Sequence, residues 1–280
     1  MSSLKPWELS EEVTAVCVNY HDIKKHKRIL SQIFKAGVRE TMQIPPDIAL
    51  MIDSGAYPAF KSKVIIKREE LLKFYQNISK KDENVVLVNL DVIDDEVQTR
   101  ANYEYFYTAG LEDVLPVVHF PHESVYDDKY TGLGGLVPVV RTNKGKIEAF
   151  SYIAEKIRYF KNHIHVFGLG STLIPVLNRL GVYSCDWIGW RISASIGAIQ
   201  ITRQCHISGR KANKWGKGIK NEEIEKFIDP SPWNLKELTT SFVARAAFNL
   251  WFAEQMTRNY WGNVENRWIR LAEENRLFKE

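Results

Sequence analysis

Short apolar runs alternate along the chain with stretches in which apolar residues recur at helical spacing. The runs Ile48–Ile52 and Val85–Leu90 are typical of parallel strands that are covered on both faces. Further strands are predicted at Val13–Val18, Val114–Val118, Leu136–Val140, His163–Phe167 and Val182–Asp186, and an eighth, for which a loop is the alternative, near Ile196–Ile201. Helices are predicted at His21–Ala36, Arg68–Ser79, Glu96–Ala109, Lys146–Phe160 and Thr172–Leu180.

This alternation of strands and helices predicts the fold class. A strand–helix unit of about 25 to 35 residues is a βαβ crossover, which places its strands in a parallel sheet. The pattern predicts an α/β protein with a (β/α)8 TIM-type barrel at about residues 12–205, a basic loop at 208–220 and a C-terminal helical segment at about 221–280, all in one domain. An open doubly wound sheet is the alternative, although no G-x-G-x-x-G motif of a dinucleotide-binding domain follows the first strand.

Composition narrows the functional classes only slightly. The chain has 280 residues, a net charge of +4 and an isoelectric point near 8.8, which is compatible with a polyanionic partner but does not require one. Cys17, Cys185 and Cys205 are far apart, so neither disulfides nor a zinc site is indicated, and no metal or cofactor is predicted. The chain shows neither a signal-peptide core nor an apolar run of the roughly 18 residues that span a bilayer, so a cytoplasmic protein without a membrane partner is expected.

Three of the predicted strands are followed by a carboxylate. Asp53 comes directly after the run Ile48–Ile52, Asp91 follows Val85–Leu90, and Asp186 ends the seventh strand. The carboxyl ends of parallel strands meet at one edge, where α/β folds place their ligands. The alternatives are that Asp53-Ser54-Gly55 forms an ordinary turn or helix cap, and that Asp91 caps the following helix together with Asp94 and Asp95.

Four short motifs, in order, resemble the tRNA-guanine transglycosylase superfamily, whose members exchange guanine for a 7-deazaguanine base. Asp53-Ser54-Gly55-Ala56-Tyr57 is similar to the family's Asp-Ser-Gly-Gly-Phe/Tyr motif, and Leu133-Gly134-Gly135-Leu136 to its Gly-Gly-Leu turn. Phe167-Gly168-Leu169-Gly170-Ser171 resembles its Gly-Val-Gly-Thr strand end, and Ser184-Cys185-Asp186-Trp187 the segment that holds the nucleophile. The resemblance covers roughly residues 48–191.

The resemblance implies a role for each motif. Base exchange with retention at the anomeric carbon is a double displacement that needs two carboxylates. Asp186 would be the nucleophile, and Asp53 the general acid and base. Residues that bind the base would be Ser54, Asp91, Gly134, Gly135 and Leu136, with Asp91 accepting from the base's N1–H and exocyclic amine. His119 ends a strand but is assigned no catalytic role, and Tyr57 either stacks on the base or belongs to the core.

The departures from the family bear on the nucleic-acid substrate. The tRNA-acting members have a zinc site of three clustered cysteines and a histidine near the C-terminus, which this chain lacks. It resembles instead the compact, zinc-free phage-type DNA 7-deazaguanine transglycosylases, which implies DNA and a free 7-deazaguanine base, such as 7-cyano-7-deazaguanine, as partners. A tRNA-acting enzyme and a non-catalytic barrel that binds nucleic acid or a base are the alternatives. The particular base, the sequence context and the oligomeric state stay open.

A DNA substrate requires phosphate contacts, because the target base has to leave the stack before it can react. The candidate cations follow the nucleophile segment and lie largely in the basic loop. They are Arg191, Arg203, Arg210, Lys211, Lys214, Lys217 and Lys220. A solvated flexible loop is the alternative interpretation of this stretch. Phosphate binding predicts a steep salt dependence of DNA affinity.

Overall fold

The structure is a computed structural model that describes residues 15–123, 126, 130–160, 163–201, 204–208, 221–257 and 267–278. The described strands are β1 (Ala15–Asn19), β2 (Ala49–Asp53), β3 (Val85–Val88), β4 (Val114–Leu115), β5 (Val117–His119), β6 (Tyr130–Gly134), β7 (His163–Val166), β8 (Ser184–Cys185), β9 (Ala198–Gln200) and β10 (Gln204–His206). The α-helices are α1 (Tyr20–Lys24), α2 (Lys27–Ala36), α3 (Val38–Met42), α4 (Ala56–Lys61), α5 (Arg68–Lys81), α6 (Glu96–Thr108), α7 (Asn143–Phe160), α8 (Ile174–Leu180), α9 (Gly189–Ser195), α10 (Asn221–Ile228), α11 (Leu235–Thr240), α12 (Phe242–Thr257) and α13 (Arg267–Glu274).

The chain forms two compact units. The N-terminal unit comprises Thr14–Pro138 together with Lys156–His165, and the C-terminal unit includes Val139–Glu155 and Val166–Glu280. Strands and helices alternate in the first unit, and helices predominate in the second. The predicted mixed α/β class with parallel strands is therefore confirmed.

Parallel strand pairs of the N-terminal unit place polar residues at the ends of their strands. β1 pairs with β2 in a register that sets Asn19 opposite Asp53, and β2 pairs with β3. Further along the chain, β5 pairs with β6 so that His119 lies opposite Gly134. Because all these pairs are parallel, the two polar pairs lie at the carboxyl ends of their strands.

A proline divides the strand segment between β3 and β6. β4 pairs with β3, and β5 pairs with β6. Pro116 lies between them and has no N–H to donate, although its carbonyl accepts from the Gly132 amide at 2.9 Å. The strands of this unit thus follow one another in chain order, β1 to β4 and then β5 to β7. These described strands show no reversal of order of the kind that marks a doubly wound sheet.

Helix α5 supplies much of the core beneath this sheet. Its residues Leu71, Phe74, Tyr75 and Ile78 recur at helical spacing and are all fully buried. The ring of Phe74 lies 4.8 Å from that of Tyr20, and the Tyr75 ring lies 5.8 Å from that of Phe106. This packing fixes α5 against β2 and β3, whose residues Leu50, Ile52 and Val88 are also buried.

Three predicted elements differ from the structure. The strand expected at Leu136–Val140 is wrong, because Gly134 ends β6, Gly135 turns the chain at a φ of +75°, and Val139–Arg141 forms a 3-10 turn. The helix predicted at His21–Ala36 is divided into α1 and α2, since His26 has a non-helical backbone with a φ of −109°. The eighth strand exists as β9, but it pairs antiparallel with β10 in a separate two-stranded sheet.

The C-terminal unit is built around α12. This helix packs on α8, α9, α11 and β9, and its Phe248 and Phe252 rings stack 6.0 Å apart in an apolar cluster. Asn249 is fully buried, donates to the Trp190 carbonyl at 2.9 Å, and accepts from the Gln200 amide at 2.6 Å. Arg245 donates to the Ala194 carbonyl at the end of α9 at 3.0 Å. Buried polar side chains of α12 thereby fix α9 and β9.

Neither a membrane-spanning helix nor a metal-binding cluster is found among the described residues. Within the described ranges, no helix combines the length and apolar character that crossing a bilayer requires. The same ranges contain no group of three or more His, Cys, Asp or Glu side chains arranged to hold a metal ion.

Candidate active site

Asp53 is held at the end of β2 by the residue opposite it. The Asn19 amide donates to Asp53 Oδ2 at 2.6 Å, while Asn19 Oδ1 accepts from the Asp22 amide and caps α1. One asparagine therefore joins the carboxylate to the first turn of the following helix. Sequence reasoning missed Asn19, although a cap-forming residue between a strand and a helix is a recognisable signal.

Gly55 allows the chain to pass close to this asparagine. Its φ is +82°, and a Cβ built on it would lie 2.5 Å from both the His21 Cβ and Asn19 Oδ1. Any larger residue would therefore crowd the group that orients Asp53. The small residue after Asp53-Ser54 is required by this close approach as well as by its backbone conformation.

Asp91 forms the centre of a second polar cluster. Its Oδ2 lies 2.7 Å from His119 Nε2, and its Oδ1 accepts from the Ser54 hydroxyl at 3.4 Å. The Asp91 side chain is 14% exposed and that of His119 only 5%. Asp91 does not cap the next helix, because Asp95 accepts from the Gln98 amide as the N-cap of α6. Its carboxylate is thus directed at groups from two other strand ends.

Side-chain amides hold the loop that carries Asp91. Asn89 donates to the Thr99 carbonyl at 3.0 Å, and Asn102 donates to the Leu90 carbonyl at 2.8 Å. Thr99 also accepts from the Val92 amide at 2.8 Å. The loop is therefore tied on both sides of Asp91 to the first turns of α6.

His119 carries the clearest electrostatic perturbation of the cluster. Burial by itself lowers the pKa of His119, but the hydrogen bond and the negative charge of Asp91, with smaller contributions from Glu96 and Asp94, outweigh it and raise the pKa above its ordinary value of 6.5. The imidazolium form is therefore favoured next to the Asp91 carboxylate. The sequence assigns His119 no catalytic role, and its position at a strand end is the only signal for it.

The Gly134-Gly135 turn lies directly against this histidine. A Cβ on Gly134 would lie 2.7 Å from His119 Cδ2 and 3.0 Å from Nε2, so only glycine leaves room for the ring. The Gly134 carbonyl accepts from the Phe120 amide at 3.1 Å. Within the described part of the chain, the amides of Gly135 and Leu136 have no hydrogen-bond acceptor. Gly135 is exposed, so its amide is available as a donor beside the Asp91–His119 pair, whereas Leu136 is fully buried.

Tyr75 connects the two carboxylates of this unit electrostatically. Its hydroxyl donates to the Val88 carbonyl at 2.7 Å, beneath the ends of β2 and β3. Complete burial, and then the charges of Asp53 and Asp91, raise the pKa of Tyr75 well above its usual value. The two aspartates thus lie within electrostatic reach of the same buried hydroxyl.

Asp186 has a separate setting in the C-terminal unit. Its Oδ1 accepts from the Gly168 amide at 2.7 Å, which joins the predicted nucleophile to the Gly-Leu-Gly-Ser motif. Trp187 is packed closely on Gly170, where a Cβ would lie 2.5 Å from the Trp187 Cβ. Burial and the nearby Asp186 charge raise the pKa of Cys185 to about 12. The thiol beside Asp186 is therefore neutral near pH 7.

The structure brings together most of the predicted base-binding residues. Asp53, Ser54, Asp91 and the Gly134–Leu136 turn lie at strand ends of the N-terminal unit, and Asp186 lies after β8 in the C-terminal unit. Tyr57 is 41% exposed, and thus does not belong to the core. Arg191 is exposed on α9, whereas Arg203, Arg210, Lys211, Lys214, Lys217 and Lys220 lie outside the described residues.

No protein-family model matches the sequence, and no curated protein matches it.

Proposed function

We propose that this protein is a DNA-guanine transglycosylase, which exchanges guanine in DNA for a 7-deazaguanine base. The observation that carries this proposal is the cluster of Ser54, Asp91, His119 and the Gly134–Leu136 turn at adjacent strand ends. A planar purine offers two adjacent donors on one edge and a carbonyl oxygen next to them. A carboxylate and neighbouring backbone amides complement that edge.

Asp91 is suited to read the donor edge of the base. A carboxylate has about four lone-pair sites, and His119 and Ser54 take one each, which leaves sites for the base N1–H and the exocyclic amine. The contact with His119 orients the carboxylate. The amides of Gly135 and Leu136 would donate to the base carbonyl or contact its 7-substituent.

Asp186 and Asp53 would carry the two chemical steps. In the first, an Asp186 oxygen attacks C1′, the C1′–N9 bond breaks, and its electron pair leaves with guanine, which takes a proton from Asp53. In the second, Asp53 removes the N9 proton of the deazapurine, N9 attacks C1′, and the bond to Asp186 breaks. Each step inverts the configuration at C1′, so the exchange as a whole retains it.

The proposed architecture is a (β/α)8 barrel. What supports a barrel is that the parallel strands of the N-terminal unit lie side by side in the same order as along the chain. In a doubly wound sheet the strand order reverses at one point. The proposed substrate is DNA, since the chain lacks the clustered cysteines of the tRNA-acting enzymes. Arg191 and the cations of 203–220 would contribute phosphate contacts.

The proposal is tested by incubating the protein with radiolabelled guanine and either guanine-containing DNA or tRNA. We expect label to enter DNA, and to be lost in Asp186→Ala and Asp53→Ala. Asp113→Asn, which removes an exposed carboxylate outside the site, is the matched control and should retain exchange. A protein–DNA adduct that survives denaturation should form with the parent protein and be absent from Asp186→Ala.

Other outcomes separate the alternatives. Label that enters only tRNA would identify a tRNA-acting enzyme. If neither nucleic acid is labelled, the assay is repeated with 7-cyano-7-deazaguanine, because an enzyme can reject guanine as the incoming base. Failure of that assay, with DNA affinity retained and no adduct, would refute catalysis and leave a binding protein.

A further inference from the structure

A group of exposed apolar and basic side chains follows the Asp53 motif directly. Tyr57, Phe60, Val64 and Ile65 are 41%, 56%, 48% and 84% exposed, respectively. Lys61 and Lys63 are exposed among them, and the twelve residues Ala56–Lys67 contain three lysines and no acid. We call the side chains of Tyr57, Phe60, Lys61, Lys63, Val64 and Ile65 the α4 surface. Monomeric proteins seldom leave such a contiguous apolar group open to water without a partner.

The charges of the α4 surface are not neutralised within the described part of the chain. Neither Lys61 nor Lys63 forms an ion pair there. The Lys61 ammonium instead lies 5.0 Å from the centroid of the Tyr57 ring, in a cation–π contact. The surface therefore offers aromatic faces and unpaired ammonium groups side by side.

Helix α1 lies beside the α4 surface, and its cations are already paired, Lys24 with Glu70 and the adjoining Lys25 with Asp22. It contacts α4, and the Ser62 hydroxyl lies 3.4 Å from His21 Nε2. Burial, followed by the charges of Lys25 and Lys24, lowers the pKa of His21 despite the opposing charge of Asp22. Lys27 and Arg28 are exposed at the start of α2. Lys27 and Arg28, which form no ion pair among the described residues, supply positive charge that complements a polyanion.

The backbone at Lys63 provides an independent observation. The Val64 amide donates to the Ala59 carbonyl at 2.9 Å, and the Lys63 amide donates to the Phe60 carbonyl at 3.1 Å, so that α4 ends in a Schellman motif. The residue at its left-handed position is normally glycine, yet here it is Lys63, with a φ of +54°. A side chain held in an unfavourable conformation at a surface is a reason to look for a function.

We propose that the α4 surface binds an unpaired nucleic-acid strand, with Phe60 stacking on a base and Lys61 and Lys63 contacting phosphates. The choice of partner rests on the proposed function and deepens it, because a flipped or single-stranded target needs a surface for its flanking nucleotides. Aromatic faces interleaved with cations are how proteins hold single strands without reading their sequence. A lipid surface fits less well, since the six-residue helix α4 is too short to present the extended apolar face of an interfacial helix.

Lys63→Gly provides the sharpest test, because stability and binding should respond differently. The substitution relieves the left-handed backbone, so the melting temperature should stay at or above that of the parent. Affinity for a fluorescent single-stranded DNA should fall about threefold or more at low salt, and the slope of log affinity against log salt should decrease by about 0.7. Lys63→Arg, which keeps the positive charge, should bind this DNA with the affinity of the parent.

Matched variants separate local from general effects. Asn84→Gly changes another left-handed residue of this unit without changing charge, and Lys80→Ala removes an exposed lysine of α5. Both should bind DNA as the parent does. Phe60→Ala should weaken binding about tenfold, as expected for a lost stacking contact. Tyr107→Ala, at a residue 50% exposed on α6, should leave binding unchanged.

The inference would be overturned if three variants, Lys63→Gly, Lys61→Ala and Phe60→Ala, bound single-stranded DNA as tightly as the parent does. It would also be overturned if the parent protein had no affinity for single-stranded DNA. If the parent protein pelleted with anionic phospholipid vesicles, and these substitutions abolished the pelleting but left DNA binding unchanged, the surface would be assigned to a membrane instead. The base-exchange assay is run on the same preparations. Exchange by the parent together with unaffected variant binding would refute only this inference. Absent exchange together with variant-sensitive DNA binding would refute only the proposed function.

Discussion

Replacing Asp91 with asparagine should lower the pKa of His119 from above 6.5 to below it. The Asp91 carboxylate lies 2.7 Å from His119 Nε2, and its hydrogen bond and charge oppose the effect of burial on the imidazole. Asparagine has nearly the same shape but no charge. Burial would then dominate, and burial favours the neutral imidazole.

The energetic consequence depends on pH in a defined direction. A hydrogen bond to a charged group contributes about 1.5–3 kcal/mol, and solvent screens this pair little because the two side chains are 5% and 14% exposed. Since the folded-state pKa of His119 is raised, this stabilisation is fully present below the unfolded value of about 6.5. It is lost as the pH rises through the folded-state pKa. Asp91→Asn should therefore destabilise the protein more at pH 6 than at pH 8.5.

Two measurements check this prediction. An NMR titration of the imidazole nitrogens gives the pKa of His119 in the parent and in Asp91→Asn. Urea unfolding at both pH values, in a double-mutant cycle with His119→Gln, gives the coupling energy of the pair. Asp113→Asn, which removes an exposed carboxylate outside the cluster, serves as the control. A His119 pKa that stays above 6.5 in Asp91→Asn, or a coupling energy that does not change with pH, would refute the reasoning.

Three further predictions concern stability and reactivity. Gly55→Ala should lower the free energy of unfolding in urea titrations by about 2–4 kcal/mol, because the cost of the left-handed backbone adds to the cost of crowding against Asn19 and His21. Gly110→Ala is the control: its φ is +85°, but nothing lies within 4 Å of the added Cβ, so it should cost only about 1 kcal/mol. Equal losses in the two variants would contradict the crowding at Gly55. Asn249→Ala should cost about 2–4 kcal/mol, because it removes fully buried hydrogen bonds and leaves the half-buried Gln200 amide without its acceptor; a loss below about 1 kcal/mol would argue against these bonds. Iodoacetamide at pH 8 should modify exposed Cys17 and largely spare half-buried Cys185, whose pKa is raised to about 12. Peptide mass spectrometry measures labelling at both sites, and equal labelling would contradict the raised pKa of Cys185.

The sequence predicted the parts of this molecule that depend on local pattern. Runs such as Ile48–Ile52 and Val85–Leu90 identified β2 and β3, because a strand that is covered on both faces consists largely of apolar residues. The same pattern placed Asp53 at a strand end. It misplaced the strand next to Gly134-Gly135, since a glycine pair ends a strand as readily as it precedes one. Nor did it show that β9 would pair with β10, because the partner of a three-residue strand is a tertiary property.

The partners of the candidate site depend on register, which no single segment encodes. In β2, Leu50 and Ile52 are buried, whereas Met51 and Asp53 point to the opposite face. The apolar pair thus fixes the face of the sheet on which Asp53 projects, and a slip of one residue against β1 would bring Asp53 opposite Val18 in place of Asn19. The same reasoning applies to His119, which fits only because β5 sets it opposite a glycine of β6. The burial that stabilises these strands therefore also sets which polar group each carboxylate meets, and so substitutions that disturb the packing of Leu50 or Ile52 should displace the Asn19–Asp53 contact without touching either residue.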